Sequence, residues 1–335
     1  LRAPAKQVVI GGNASLTLMH DCLVRAVTHG VPGGAGPWFG QGVKWLCPAP
    51  GYDRHFKLTA HFGIELVPVD MGPDGPDMDQ VEALVADDAT IKGIWIVPRY
   101  SNPTGATLSD AVARRLAGMT TAAGDFRIFC DDAYAEHHLV AEPGDYPNLL
   151  ALAEAAGHAD RVIVFGSTSK ISFAGGGICA LAASPANVDW FLLHQGLSTI
   201  GPDKINQLRH LRFFKDAAGI RAHMHKHAAV MKPKFDAVLA QLEAELTGIA
   251  EWTHPEGGYF ISVDTPDGCA TRTVQLADEA GVKLTPAGAT FPHGQDPRDR
   301  NIRLSPSLPP PAELALAAEL FAVCVQLAAL EQIQG

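Results

Sequence analysis

Short apolar runs alternate with amphipathic segments along this chain, and together they predict a series of strands and helices. The run 162–165 holds four apolar residues, three of them β-branched, which is typical of a buried strand. Similar runs predict strands at 43–47, 64–69, 93–97, 127–130 and 178–183. Leu16, Met19, Leu23 and Val27 recur at helical spacing and predict a helix beginning near Ser15. Strands that alternate with helices indicate a mostly parallel sheet between helical layers.

The remaining segments extend this pattern. We predict helices at 78–85, 109–123, 188–199 with a break at Gly196, 205–214, 220–246, 271–280 and 311–330, and strands at 282–284 and 301–305. The long helix 220–246 is expected to link a large domain to a smaller α/β unit that follows it.

Composition narrows the classes of protein that fit. The chain has 335 residues, 47% hydrophobic and 19% charged, which suits a compact enzyme of two domains. A net charge of -10 argues against nucleic acid or an anionic membrane as a partner. We see no apolar run that would span a bilayer. The six cysteines are scattered without a CxxC pair, so we expect reduced thiols and a cytoplasmic location.

Lys170 is the first candidate for chemistry. The strand 162–165 ends at Gly166, and Ser167, Thr168 and Ser169 lead to this lysine. Ligands of open α/β sheets bind beyond the carboxyl ends of the strands. Small and apolar neighbours would desolvate the amine and lower its pKa, as a Schiff-base lysine requires. The alternative is a surface lysine in a glycine-rich loop.

A second candidate is the turn at Gly11 and Gly12, which opens the first helix. Free N–H groups and the positive end of the helix dipole make such a turn a phosphate site. An ordinary N-cap by Asn13 or Ser15 is the competing interpretation.

Further motifs follow other predicted strands in a fixed order. They are the turn 100–105 with Asn102, the segment 131–134 with Asp131 and Tyr134, the segment 201–207, and the strand 301–305 with Arg303. With Lys170, this ordered set resembles the fold-type I aminotransferases that use pyridoxal 5'-phosphate (PLP), over nearly the whole chain. The segments 100–105 and 201–207 are most similar to the aspartate aminotransferase-like subgroup labelled MocR-type.

The resemblance implies the fold and the domains. It predicts a three-layer α/β/α sandwich with a mostly parallel seven-stranded sheet over residues 1–219, and a small C-terminal domain over 220–335. Relatives carry an N-terminal arm and the first part of the small domain before the glycine turn. Here that turn comes almost at once, so we expect those parts to be absent from this sequence.

The resemblance also implies roles for single residues. Gly12, Asn13, Ala14 and Ser167 would hold the phosphate, and Tyr52 would stack on the pyridine ring. Asp131 would face the pyridine nitrogen, and Asn102 and Tyr134 would bind the phenolic oxygen. Lys170 would form the Schiff base and move the proton, and Arg303 would bind the substrate α-carboxylate. Less specific alternatives are core packing for Tyr52, a plain turn at Asn102 and a structural ion pair for Arg303.

One family feature is missing. Related enzymes place a phosphate-binding arginine shortly after the lysine, where this chain has Gly176, Gly177 and Ile178. Ser167, Thr168, Ser169 and the glycine amides would have to replace it.

The predicted function is PLP-dependent transfer of an amino group from an L-amino acid, aspartate being favoured, to a 2-oxo acid such as 2-oxoglutarate. A distal carboxylate needs a second cation, for which Arg54, Arg99, Arg209 and Arg212 are candidates. The resemblance implies a homodimer with its site at the subunit interface. The alternatives are another PLP reaction, such as a β-lyase or a decarboxylase, or a PLP- and effector-binding regulator without its DNA-binding part.

No metal site is predicted. Asp131, Asp132, Glu136, His137 and His138 fall on different faces, and His223, His225 and His227 alternate along a helix. We interpret that helix as solvated.

Overall fold

The structure is a computed structural model that describes residues 1–334. Its strands are β1 Val8–Ile10, β2 Lys44–Ala49, β3 Glu65–Gly72, β4 Gly75–Pro76, β5 Ile91–Ile96, β6 Arg127–Asp131, β7 Val162–Ser167, β8 Cys179–Ala183, β9 Glu251–Trp252, β10 Ile261–Asp264 and β11 Asn301–Leu304. Its α-helices are α1 Ser15–His29, α2 Asp53–His61, α3 Met78–Asp87, α4 Asp110–Gly118, α5 Leu149–Ala155, α6 Pro185–Ser198, α7 Lys204–Phe214, α8 Ala217–Leu246, α9 Ala270–Glu279 and α10 Pro311–Gln334.

Eight strands form the main sheet, in the order β1-β8-β7-β6-β5-β2-β3-β4. The five strands from β7 to β3 in this order pair in parallel, whereas β1, β4 and β8 pair antiparallel to their neighbours. The prediction of seven strands was therefore one short. The additional strand, β4, is only two residues long and arises where the chain turns back on β3. A strand of that length leaves no apolar periodicity to detect.

Apolar side chains cover both faces of this sheet, which gives the predicted three-layer α/β/α sandwich. On one face Trp45, Phe129 and Phe165 pack with side chains of α1 and α6. On the other face Leu46 and Ile94 pack with side chains of α3, α4 and α5. The parallel strands consequently end together at one edge, where the site lies.

A second, antiparallel sheet has the order β11-β10-β9 and packs against α8, α9 and α10 through its own apolar cluster. Helix α10 is long and apolar enough to cross a membrane by length and composition, so our expectation that no such run exists was wrong. Phe321 and Val325 of this helix are buried in the cluster, as the core helix of a globular protein would be.

Three predicted elements differ in the structure. Helix α6 continues through Gly196, because one glycine costs a helix only about 1 kcal/mol relative to alanine. The helix predicted over 109–123 ends at Gly118. Residues 282–284 form no strand among the described residues, since no neighbouring strand pairs with them.

Candidate functional site

The predicted site residues converge at the carboxyl edge of the main sheet. Asp131 ends β6, Lys170 follows β7 by three residues, and Asn102 lies in the loop after β5. Tyr52 follows β2 and directly precedes α2. Arg303 comes from β11 of the second sheet and reaches the same cleft, where it hydrogen-bonds to Asn102. The cleft is thus lined by both sheets.

Asp131 is buried and paired with a histidine that the sequence analysis did not identify. His55 Nε2 lies 3.0 Å from Asp131 Oδ2. The imidazole is stacked on Trp95, with 4.2 Å between ring centres and 8° between the ring planes. The other carboxylate oxygen, Oδ1, is buried without a hydrogen-bond partner in residues 1–334. A buried oxygen of a charged group that lacks a partner is costly, so Asp131 is prepared to accept a hydrogen bond from a ligand.

Lys170 carries its amine into the same cleft. Its Nζ lies 4.9 Å from the centre of the Tyr134 ring. Loss of water around the amine lowers the pKa of Lys170 below its ordinary value, whereas the negative charge of Asp131 raises it. The residue as a whole is nevertheless partly open to solvent, since its side chain and main chain together count as exposed.

Tyr134 is almost completely buried. Burial and then the charge of Asp131 raise the pKa of its phenol, so the hydroxyl keeps its proton at neutral pH. It is therefore available as a hydrogen-bond donor.

The glycine turn and the lysine loop are tied together by Asn13. Its side-chain oxygen accepts a hydrogen bond of 2.8 Å from the Gly177 N–H. Its main-chain oxygen accepts hydrogen bonds of 3.0 Å from the hydroxyls of Ser167 and Ser169. The α1 N-cap is Ala14, which has no side-chain capping bond, so capping by Asn13 or Ser15 is excluded.

This junction leaves several donors without a partner. Within residues 1–334, none of the N–H groups of Gly12, Asn13, Ala14 and Ser15 donates a hydrogen bond. A Cβ at Gly12 would meet nothing within 4 Å, so the turn is open on this side. Free N–H groups at the start of a helix suit an anion. No arginine side chain of the described residues hydrogen-bonds to either loop, in keeping with the missing family arginine.

Arg303 is held by two side chains but keeps donors free. Its Nη1 lies 3.1 Å from Asn102 Oδ1 and 3.4 Å from Asp53 Oδ1. Its Nε is buried and has no partner in the described chain. The ion pair with Asp53 agrees in part with the alternative that Arg303 has a structural role. A guanidinium with a free Nε can still bind a carboxylate.

The other four arginines considered for a distal carboxylate separate into two groups. Arg99 is buried, donates to the Gly144 carbonyl and lies against Tyr100 and Tyr146. Arg54 at the start of α2 and Arg209 and Arg212 on α7 are exposed.

The interpretation of α8 as a solvated helix was wrong for two of its three histidines. His223 Nε2 lies 2.9 Å from the Ile171 carbonyl oxygen, and His227 Nε2 lies 2.9 Å from the Tyr259 hydroxyl. Only His225 is exposed without a hydrogen bond among residues 1–334. His223 and His227 are four residues apart, and residues at that spacing share one face of a helix. The sequence analysis considered only the alternation of all three histidines and therefore missed this pair. The described residues contain no group of three or more potential metal ligands.

Comparison with known proteins identifies relatives of this chain. The family model described as aspartate amino-transferase matches residues 1–335. A Mycolicibacterium smegmatis protein, named only provisionally as an aminotransferase, is 52% identical over all of this chain and 79% of its own length. The crystal structure of an aspartate transaminase from Corynebacterium glutamicum is 48% identical, with a TM-score of 0.97 over 98% of this chain and 78% of that one.

A more distant structure shows the fold alone. An α-aminoadipate aminotransferase of Thermus thermophilus, solved with N-(5'-phosphopyridoxyl)-L-leucine, is 23% identical, with a TM-score of 0.80 over 97% of this chain and 78% of that one. The fold is therefore that of the PLP-dependent transferases of fold type I.

Proposed function

Because this chain belongs to the aspartate aminotransferase family, we propose that it transfers the amino group of L-aspartate to a 2-oxo acid such as 2-oxoglutarate. That the protein is an aminotransferase follows from the family itself. The observation that supports the site is the meeting of Lys170, Asp131 and Arg303 in one cleft, described above. Lys170 offers an amine, Asp131 a carboxylate for the cofactor and Arg303 a guanidinium for the substrate.

The family implies PLP as the cofactor, and the residues present fit it. The free N–H groups of residues 12–14 suit its phosphate, and the hydroxyl of Ser167 would turn from the Asn13 carbonyl to join them. The unpartnered oxygen of Asp131 suits the protonated pyridine nitrogen, and Tyr52 offers an aromatic face. The Asn102 amide and the Tyr134 hydroxyl would donate to the phenolic oxygen. When bound, PLP supplies the electron sink that stabilises negative charge at the substrate Cα.

Lys170 has two tasks in this proposal. Its amine would hold PLP while no substrate is present, and its lowered pKa favours the neutral form that can do so. With substrate bound, the freed amine of Lys170 would be placed to take the proton from the substrate Cα and hold it. His55 holds the Asp131 carboxylate in place meanwhile.

Arg303 would bind the substrate α-carboxylate through its free donors. Asn102, which accepts from Arg303, places this guanidinium beside the loop that would contact the cofactor. For the distal carboxylate of aspartate we favour Arg54, Arg209 and Arg212, because Arg99 is already engaged with Gly144.

We also propose a homodimer that completes the site. Large apolar side chains are exposed on α6, on α7 and on the loop just after Lys170; they include Leu193, Leu197, Ile205, Leu211, Phe213 and Phe173. A surface of this kind is typical of a protein interface. It adjoins Arg209 and Arg212 in sequence, so a partner subunit could supply the second cation.

Three further assignments are proposals. The segments 100–105 and 201–207 support the MocR-type label. The separate apolar clusters of the two sheets support domains at 1–219 and 220–335. Six buried, unpaired cysteines support a cytoplasmic location.

The test is product analysis with a panel of donors. Purified protein with PLP and 2-oxoglutarate is supplied with aspartate, alanine, an aromatic amino acid or 2-aminoadipate, and the 2-oxo acid and glutamate formed are measured. We expect the highest kcat/KM with aspartate. A higher value with any other donor would overturn the aspartate assignment. Release of carbon dioxide or ammonia would indicate another PLP reaction, and ligand binding without turnover would indicate a regulator.

Alanine substitutions at the exposed arginines locate the distal site. Replacing the responsible residue should raise KM for aspartate and leave KM for alanine unchanged, because only aspartate has the second carboxylate. Equal effects on both donors would exclude that arginine.

A further inference from the structure

The main-chain carbonyl of Lys170 is held by side chains. Among residues 1–334, no backbone N–H donates to this oxygen. The Tyr259 hydroxyl lies 3.3 Å from it and His137 Nε2 lies 3.4 Å from it. The Tyr259 hydroxyl is in turn 2.9 Å from His227 Nε2. Two side chains that are distant in sequence thus contact the peptide group of one residue, and a third supports one of them.

The chemistry of these groups fixes the direction of each hydrogen bond. A carbonyl oxygen can only accept, so the single hydroxyl hydrogen of Tyr259 points to Lys170. The hydroxyl oxygen then accepts from His227, whose hydrogen is on Nε2. His137 likewise donates from Nε2, which leaves its buried Nδ1 without a partner in the described residues.

Both imidazoles are neutral, as this arrangement requires. Burial, followed by the charge of Lys170, lowers the pKa of His137 to about 3. Burial also lowers the pKa of His227, and the neighbouring His223 adds to this effect.

The three side chains come from separate parts of the fold. His137 lies in the loop after β6, His227 on α8, and Tyr259 just before β10. Strand β10 pairs with β11, and Ser262 faces Arg303 across this pair. The peptide group of Lys170 is therefore connected to the sheet that carries Arg303.

We propose that His137, His227 and Tyr259 are positioning residues that fix the main chain of Lys170 and so direct its amine toward bound PLP. The inference rests on the proposed role of Lys170 as the PLP-bearing lysine. A lysine amine sits on a flexible four-carbon stem, and errors of placement near 1 Å can cost a reaction about 100-fold. Anchoring the Cα removes one source of such error.

Helix α8 strengthens this anchor at the next residue. His223, one turn before His227, lies 2.9 Å from the Ile171 carbonyl oxygen. Two histidines on one face of α8 thus hold consecutive peptide groups of the lysine loop, one directly and one through Tyr259.

The first test measures how fast the protein without cofactor attaches PLP covalently, at saturating PLP, by stopped-flow absorbance. The loss of one neutral hydrogen bond predicts that Tyr259→Phe and His227→Leu each slow attachment about fivefold. The affinity for pyridoxamine 5'-phosphate, which cannot form that bond, should stay within twofold. We expect kcat to fall by a similar factor while KM for the amino donor is unchanged. The exposed His225→Leu on the same helix is the control.

Two further variants separate positioning from general damage. His227→Gln retains an N–H donor near the position of Nε2, so it should restore the attachment rate to within twofold of the wild type. In the double variant with Tyr259→Phe and His227→Leu, the rate should equal that of Tyr259→Phe alone, because His227 acts only through the Tyr259 hydroxyl.

Three results would overturn the proposal: slowing of less than threefold in both single variants, losses that multiply in the double variant, or equal loss of pyridoxamine phosphate affinity. A failure of the proposed role of Lys170 would give a result different from these three. If Lys170 is not the PLP-bearing residue, the wild type itself will show no covalent attachment there.

Discussion

Replacing His55 by phenylalanine tests the acidic end of the site. Phenylalanine keeps an aromatic ring to stack on Trp95 but removes the donor that lies 3.0 Å from Asp131 Oδ2. Because Oδ1 already lacks a partner in the described residues, the buried carboxylate would be left with no donor at all. A hydrogen bond to a charged group contributes about 1.5–3 kcal/mol.

We therefore expect His55→Phe to lower the free energy of unfolding of the cofactor-free protein by about 2 kcal/mol, measured by urea denaturation. The same variant should bind PLP about 10- to 100-fold more weakly at neutral pH, because the Asp131 carboxylate would lose the contact that orients it toward the ligand.

Two comparisons isolate the hydrogen bond. His55→Gln keeps an N–H donor and loses the stacked ring, and we expect it to bind PLP nearly as well as the wild type. His61→Phe changes an exposed histidine on the same helix and should have no effect. Wild-type stability and PLP affinity in His55→Phe would refute the account of Asp131.

Three other changes give distinct outcomes. Arg303→Lys, which loses the planar two-pronged donor, should raise KM for the amino donor about 10- to 100-fold and leave PLP affinity unchanged in equilibrium titrations; an unchanged KM would exclude this carboxylate site. Asn13→Ala should weaken the binding of inorganic phosphate and PLP about tenfold by freeing the two loops it joins, and equal affinities would contradict that role. Gly257→Ala would place a Cβ 2.2 Å from Tyr100 Cε2, so we expect unfolding to be easier by about 1–3 kcal/mol in urea denaturation, whereas Gly196→Ala, with nothing within 4 Å, should be neutral or stabilising.

The main sheet could be predicted because its central strands are continuous apolar runs. The run at 162–165 became β7, and the helical spacing after Gly12 became α1. Strand β4 could not be predicted, because two residues carry no periodic pattern. Helix α10 has a clear apolar pattern, but the pattern does not decide its environment. Its composition suits a membrane, and only the packing of its side chains places it in a core.

In the candidate site, the residues of the sequence motifs could be predicted, whereas most of the side chains that hold them in place could not. Lys170 follows a strand and Asp131 ends one, so their position at the sheet edge could be predicted from chain order. His55 and Tyr259 act through partners 76 and 89 residues away, and no local pattern marks such contacts. The role of His227 could have been predicted, because its spacing of four from His223 puts both on one helix face.

The most direct test is to map where PLP attaches. The protein is incubated with PLP, reduced with borohydride and digested, and the modified peptide is identified by mass spectrometry, with Lys170→Ala in parallel. We predict one phosphopyridoxyl group, on Lys170, that is lost when aspartate is added before reduction and absent from the variant. Modification of another lysine, or amino transfer by Lys170→Ala at the wild-type rate, would contradict the central claim.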